Sequence, residues 1–331
     1  MEVILSHGNG GVESKQLIDK IFLRHLGKFM PHNGEDAGIG KSAGKFALST
    51  DSFVITPCIF SGGDIGKLSV CGSSNDVAMM GAKPQFLSAG FIIEEGLTFE
   101  MLERICISMA KELDSLNLTL LSADTKVVPK GSVDKIFINT TALGDIIYPN
   151  ISQNNLAQGD CIIVSGNVGT HGSVIYCARN EIALQSNLQS DCAQLFPMLE
   201  PLFHQNLPIH ALRDATRGGI ASVLNEWAQA SNVGIELFEE QIPVLESVRG
   251  VCEILGLEPY TLANEGVCVL SVPEKFCEKV LNVLHDHPLG KNATIIGKVS
   301  TQNPQKVILQ NAYGGKRYLE YPQGELLPRI C

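Results

Sequence analysis

Three consecutive stretches in the first third of the chain decide its fold: KFALSTDSFVI (Lys45–Ile55), GKLSVCGSSNDVAMM (Gly66–Met80) and QFLSAGFII (Gln85–Ile93). The outer two are rich in β-branched and aromatic residues and read as strands. The middle one reads as a helix, stopped by Gly81 and Pro84. Strand, helix and strand in succession point to a mixed domain of sheet and helix. The stretch Thr98–Leu116 is the clearest helix. Leu102, Ile105, Met109, Leu113 and Leu116 step by three or four and place one apolar stripe against a core. Thr98 is a good N-cap, and Leu97 with Leu102 has hydrophobic-staple spacing. LTLLSA (Leu118–Ala123) reads as a short buried strand followed by a polar loop, Asp124-Thr125-Lys126. KIFINTTAL (Lys135–Leu143) reads as another strand.

The polar, turn-rich stretch PNISQNNLAQG (Pro149–Gly159) predicts a boundary. Beyond it a strand, DCIIVS (Asp160–Ser165), enters a glycine-rich turn and a helix. Helical stripes follow at Ile220, Val223, Leu224 and Trp227, and at Phe276, Val280 and Val283. Strands lie around them at Val267–Val272 and Lys306–Gln310. The fold class expected is α+β, of the α/β type, in two domains, residues 1–150 and 151–321. The tail 322–331, PQGELLPRIC, carries two prolines and a glycine, so it should run extended across the surface. Ten extended residues reach at most about 33–36 Å, enough to bring the terminal thiol of Cys331 to a distant site.

Composition removes several function classes. At 331 residues the chain exceeds the usual size of a single core. Lys plus Arg number 25 against 35 Asp plus Glu, a formal net charge of -10, and no basic run relieves it. Such a chain repels phosphate backbones, so no nucleic-acid partner is expected. No stretch approaches the ~18 apolar residues of a membrane helix. The start, MEVILSHGNGG, has no basic n-region and does not read as a secretory signal. The ten cysteines are scattered without a C-x-x-C pair, which suits reduced thiols and a cytoplasmic location.

Acidic residues recur beside small ones: Asp36 in EDAG, Asp51 in STDS, Asp76 in SSND, Asp124 in SADTK and Asp214 in LRDATRGG. Several separately supplied aspartates suit a site for Mg²⁺ and a nucleotide, because hard cations take carboxylate oxygens together with substrate phosphates. Taken singly, each also suits a cap or a turn. Glycine-rich loops adjoin them: HGNGG (His7–Gly11), SGGDIG (Ser61–Gly66), SGNVGTHG (Ser165–Gly172) and TRGG (Thr216–Gly219). Where such a loop meets a helix N-terminus it favours an anion. SGNVGTHG follows a strand and precedes a helix, yet lacks the signatures of the common phosphate loops. Lys126 follows a buried strand, so partial desolvation, which favours the neutral amine, is expected there. Glu265 in ANEG precedes another strand. His7 and His171 lie in glycine-rich motifs but have no partner at zinc-ligand spacing.

Together the motifs HGNGG, STDSFV, GGDIGKL, NDVAMMGAKP, FIIEEG, DTKVV, FINT, LRDATRGG, ANEG and the terminal PRIC resemble the HypE family of hydrogenase maturation factors, from His7 to Cys331. The wider superfamily includes aminoimidazole ribonucleotide synthetase and selenophosphate synthetase. The chain departs from the pattern at Ala123, where Gly is common, and at Ser61, where Pro is common. The resemblance implies a two-domain ATP-binding fold and a homodimer paired through its N-terminal sheets. It implies that Cys331 accepts a carbamoyl group, which ATP then dehydrates to a thiocyanate, with Lys126 and Glu265 taking protons. It implies nucleotide contacts from Asn75, Thr125, Gly169, Arg217, Gly218 and Gly219, and Mg²⁺ held by Asp36, Asp51, Asp76 and Asp214. The partners implied are the carbamoyltransferase HypF and the HypC–HypD scaffold. Two alternatives stay open: a selenophosphate synthetase-like enzyme, disfavoured because HGNGG has no cysteine, and a non-catalytic carrier whose tail only docks.

Overall fold

In the computed structural model the described residues are 2–4, 7, 16–30, 41–182 and 187–322. The described residues divide near residue 146 into two compact units, one drawn from 1–77 and 82–146, the other from 78–81 and 147–322. Each has its own sheet.

The N-terminal unit is built on four strands, β1 (Phe46–Phe53), β4 (Ala82–Glu94), β5 (Thr119–Val128) and β6 (Ile136–Ile146), in the order β1-β6-β4-β5. The two-residue strands β2 (Ile59–Phe60) and β3 (Gly63–Asp64) form a small hairpin before the helix. A short helix, α1 (Leu23–Leu26), precedes the sheet; α2 (Ile65–Met79) and α3 (Phe99–Ser115) are its long helices. Thr98 caps α3 by accepting from the Met101 N–H at 3.2 Å, and Leu97 and Leu102 are both buried. Leu87, Ala89, Phe91 and Ile93 of β4 alternate inward and form the core, with Ile105, Met109 and Leu113 of α3 also buried.

One expected element changes. Asp124-Thr125-Lys126 is not a loop but the continuation of β5, paired in parallel with Gly90, Phe91 and Ile92 of β4. The cause is β4, which at 13 residues is far longer than an ordinary strand of about 5–6 and offers ladder partners along its whole length. Local polarity suggested a loop; pairing overrode it.

The C-terminal unit carries a seven-stranded sheet in the order β13-β12-β9-β11-β7-β10-β8. Its strands are β7 (Asp160–Val164), β8 (Ala211–Asp214), β9 (Gly234–Phe238), β10 (Cys268–Pro273), β11 (Thr294–Ser300), β12 (Val307–Gln310) and β13 (Lys316–Tyr318). Its helices are α4 (Thr170–Arg179), α5 (Phe196–His204), α6 (Gly219–Ala230), α7 (Glu246–Leu255) and α8 (Cys277–His285). Buried on both faces, β7 is apolar throughout after Asp160, and the core gathers Ile162, Val164, Val269, Ile296 and Leu224 around the single tryptophan, Trp227. No helix among the described residues is long and apolar enough to cross a membrane. Asp36, most of the HGNGG loop and the tail beyond Pro322, with Cys331, lie outside the described residues.

Candidate active site

Four segments of the C-terminal unit meet at one residue or its neighbours. Asn264 is fully buried; its Oδ1 accepts the Gly169 N–H at 2.7 Å, and its Nδ2 donates to the carbonyls of Ala215 (3.0 Å) and Leu262 (3.3 Å). The Asn264 backbone N–H also donates to Ala215 O. One side chain thereby ties the SGNVGTHG turn after β7 to the LRDATRGG turn after β8. An amide is suited to this, since it offers both an acceptor and two donors.

Both turns lead into helices in the same way. Gly169 (φ +80) precedes α4 and Gly218 (φ +73) precedes α6, and neither helix has a side-chain cap. Left-handed backbone of this kind favours glycine. Uncapped starts carry the positive end of the helix dipole, which attracts phosphate oxygens. Arg217 is exposed beside the second turn and Asp214, at the end of β8, is buried. Asp214, Arg217, Gly218, Gly219 and Gly169 are thus gathered by this clamp.

Glu265 follows the clamp and is only 3% exposed. Its backbone is held from a fourth segment. Asp191 Oδ2 accepts the N–H groups of Glu265 (3.2 Å) and Gly266 (3.1 Å), and Ala193 N–H donates to the Glu265 carbonyl at 3.2 Å. His171, on the first turn of α4, lies within the same packing, with Nδ1 2.7 Å from Ser190 Oγ. Ser190, Asp191 and Asn264 are neighbours of the candidate residues that were not singled out in the sequence; the only signal for Asn264 was its place in ANEG.

In the N-terminal unit the candidates fall on two faces of the sheet. Ser49 Oγ on β1 donates to Asp76 Oδ2 on α2 at 2.6 Å, so the face that carries Ser49 and Asp51 looks toward α2. Asn75 is buried on the same helix. Thr125 shares a row with buried Phe91, on the inner face. Lys126 is on the other face, in register with Ile92.

The desolvation expected of Lys126 is not found. Its side chain is 64% exposed, and Nζ donates to both oxygens of Asp124, at 2.9 and 2.6 Å. Residues 124 and 126 share the open face of β5, the last strand of the sheet, so water reaches both. The lysine's hydrogen bonds hold the Asp124 carboxyl below the usual carboxylate range. A groove of about 270 Å³ adjoins the pair, walled by Leu17, Phe22, Leu26 and Ala123. His7, also in this wall, accepts the Ile4 N–H on Nδ1 and stands against Phe99.

The donor set suits a nucleotide-borne cation better than a dedicated metal cage. Among the described residues no three His, Cys, Asp or Glu side chains gather to hold a metal ion. Asp51 and Asp76, however, both belong to the layer between β1 and α2. Mg²⁺ needs only one or two carboxylates when phosphates and water complete its shell. The nine cysteines within the described residues are all free and buried. Burial pushes the thiols of Cys58, Cys177 and Cys106 up, Cys252 to about 11 and Cys268 to about 12, which leaves little thiolate to act as a nucleophile.

Family models match both units: AIR synthase related protein, N-terminal domain, over residues 34–146, and AIR synthase related protein, C-terminal domain, over residues 157–310. Carbamoyl dehydratase HypE of Escherichia coli (strain K12) is 45% identical over 336 residues, covering 99% of this chain and 98% of the relative. Among solved structures, hydrogenase maturation protein HypE in complex with ATP superposes with a TM-score of 0.93 at 42% identity, covering 99% of each chain. A HypE–HypF complex matches with a TM-score of 0.81 at 41% identity, covering 94% of this chain and 100% of that one.

Proposed function

The chain belongs to the HypE family of carbamoyl dehydratases, and from that premise we propose that it dehydrates a carbamoyl group carried on its own Cys331, using ATP, to supply cyanide for hydrogenase maturation. The reaction is R–S–C(=O)NH₂ + ATP → R–S–C≡N + ADP + phosphate. The amide oxygen attacks the γ-phosphorus and ADP leaves. Two protons come off nitrogen, the C–O bond breaks, and the oxygen departs with phosphate, a far better leaving group than hydroxide. The observation that carries this reading is the Asn264 clamp, which brings two uncapped helix starts and Glu265 to one place.

In this reading Gly169, Gly218, Gly219 and Arg217 of the C-terminal unit receive phosphate oxygens, and on the N-terminal unit Asn75 and Thr125 are the proposed nucleotide contacts. The carboxylates that would hold Mg²⁺ are Asp36, Asp51, Asp76 and Asp214, and the ion would supply screening of the charge on the phosphoryl group. Glu265, buried and therefore shielded from competing water, takes one proton from nitrogen; Lys126 takes the other only as the free amine, after its ammonium has released a proton to the water on its open face. Asp124 fixes the ammonium of Lys126 when the site is at rest. Cys331 is the acceptor thiol in this reading because it belongs to the PRIC motif, whereas the described cysteines are buried.

A second copy of the chain completes the assembly. The open face of the N-terminal sheet exposes Phe46 (52%) and Leu48 (58%), with Leu48 paired across to Leu143. Between them and Ile92 runs a polar row in which Thr141 Oγ1 donates to Thr50 Oγ1 and Asn139 Nδ2 to Ser52 Oγ. Such a face is suited to sheet-on-sheet pairing. Lys126 lies on it, so pairing would also remove water from that amine. HypF is the proposed carbamoyl donor, on the strength of the HypE–HypF complex, and HypC–HypD the proposed acceptor of the cyano group.

The test is intact mass spectrometry. Protein loaded by its carbamoyltransferase should gain one carbamoyl group on Cys331 and lose one water on addition of Mg-ATP. Cys331→Ala should gain nothing. A loaded protein that hydrolyses ATP without losing water would refute the dehydratase reading, and a loaded protein that does neither would favour the carrier.

A further inference from the structure

The least expected polar group of the C-terminal unit is Asp191. Its Oδ1 is shut off from solvent and has no hydrogen-bond partner among the described residues, and the carboxyl pairs with no cation there, although the residue as a whole is only half-buried. Removing a carboxylate from water without an ion pair is unfavourable by several kcal/mol in general, and folds retain such groups only where something holds them. What holds Asp191 is backbone: its other oxygen accepts from the N–H groups of Glu265 and Gly266, 74 and 75 residues away in sequence.

The contact is close and has little slack. A Cβ at Gly266 would fall 1.8 Å from the Asp191 carbonyl oxygen, so only glycine lets the two segments approach this far. Ala193 N–H closes the other side by donating to the Glu265 carbonyl. Asn264, the preceding residue, is pinned through both ends of its amide. The two peptide units that flank the Glu265 Cα are therefore fixed on one side by Asn264 and on the other by Asp191 and Ala193. The direction in which the Glu265 side chain leaves the backbone follows from those anchors.

We infer that Asp191 is a positioning residue for Glu265: its carboxylate holds the Glu265–Gly266 backbone and so sets where the Glu265 carboxyl reaches. This rests on the role proposed above for Glu265. An ionised acceptor suits the task, since charge-assisted hydrogen bonds to N–H are roughly twice as strong as neutral ones. The gain lies in placement, and a misplacement of about 1 Å can lower a rate about a hundredfold.

The experiment follows single-turnover dehydration of the carbamoylated full-length protein by intact mass, with Mg-ATP affinity by calorimetry as a separate readout. Glu265→Gln, Asp191→Ala, Asp191→Asn and the double variant Glu265→Gln/Asp191→Ala are compared. Asp191→Ala should slow dehydration about tenfold or more and leave ATP affinity within about twofold. Asp191→Asn keeps an uncharged acceptor and should recover part of that loss. In the Glu265→Gln background, Asp191→Ala should add little, because the group it aims is gone. If Glu265→Gln slows the reaction but Asp191→Ala does not, or if the two losses simply multiply, the inference about Asp191 is overturned and the role of Glu265 stands. If Glu265→Gln turns over at the wild-type rate, the role of Glu265 falls and the inference falls with it. Should Asp191→Ala not reproduce the wild-type fluorescence of Trp227, Asp191→Ser, too short to reach both amides, replaces it with the same expected result.

Discussion

Replacing Asp191 by Asn should change how the stability of the C-terminal unit responds to pH, and the size of the change can be worked out. Burial pushes the Asp191 carboxyl from its ordinary 3.8 up to about 6, although the amides of Glu265 and Gly266 pull the other way. The folded state therefore binds a proton that the unfolded chain has already released. Stability from this group is fully present below pH 3.8 and is lost as pH rises through about 6. At about 1.36 kcal/mol per pKa unit, the loss is about 3 kcal/mol. Asn has nearly the same shape and does not titrate, so Asp191→Asn lacks this loss. Trp227 is the single tryptophan and sits in the core of this unit, so its fluorescence follows that unit alone. Urea titrations at constant ionic strength, repeated from pH 4 to pH 7, should show the wild type losing about 2 kcal/mol relative to the variant across that range, because part of the full loss has already occurred at pH 4. Parallel stability curves for the two proteins would refute the assignment of an ionisable, buried Asp191.

Asn264→Ala strips the clamp and leaves the Gly169 N–H without its acceptor, which should destabilise the same unit by about 2 kcal/mol in urea and weaken Mg-ATP binding in calorimetry; an unchanged affinity would separate the clamp from the nucleotide site. Asp76→Asn should weaken Mg-ATP binding about tenfold, equivalent to about 1.4 kcal/mol, while circular dichroism stays unchanged. Light scattering of the wild type should give about twice 35.7 kDa, and Leu48→Glu, which puts a charge into the exposed apolar end of the N-terminal sheet, should give the single-chain mass.

The alternation of strands and helices was legible because hydrophobic periodicity is local. The α3 stripe, its Thr98 cap and the Leu97–Leu102 spacing all lie within twenty residues of one another, and the structure contains each of them. What was not legible depended on pairing between distant segments. DTK reads as a loop when only its own polarity is considered, and becomes strand because β4 is long enough to pair with it. The opposite exposures of Lys126 and Glu265 have the same origin. Both follow or precede an apolar run, yet one lies on the open face of the last strand and the other under a segment 74 residues away. Asp191 gave no signal at all: SDCAQ has no period, and a single aspartate there reads as a turn.

That contrast bears on how the proposed chemistry is divided. A proton acceptor that must meet one nitrogen in one orientation gains from a fixed backbone, and Glu265 is bounded by Asn264, Asp191 and Ala193. Lys126 has long, rotatable methylenes, a partner only two residues away and solvent on its open side, so it can change partners when a substrate arrives or when the sheet face is covered. Asn at position 191 would relieve most of the burial penalty while keeping an acceptor. A charge at this position, if the neutral amide proves more stable in the urea experiment, points away from stability and toward the placement of Glu265.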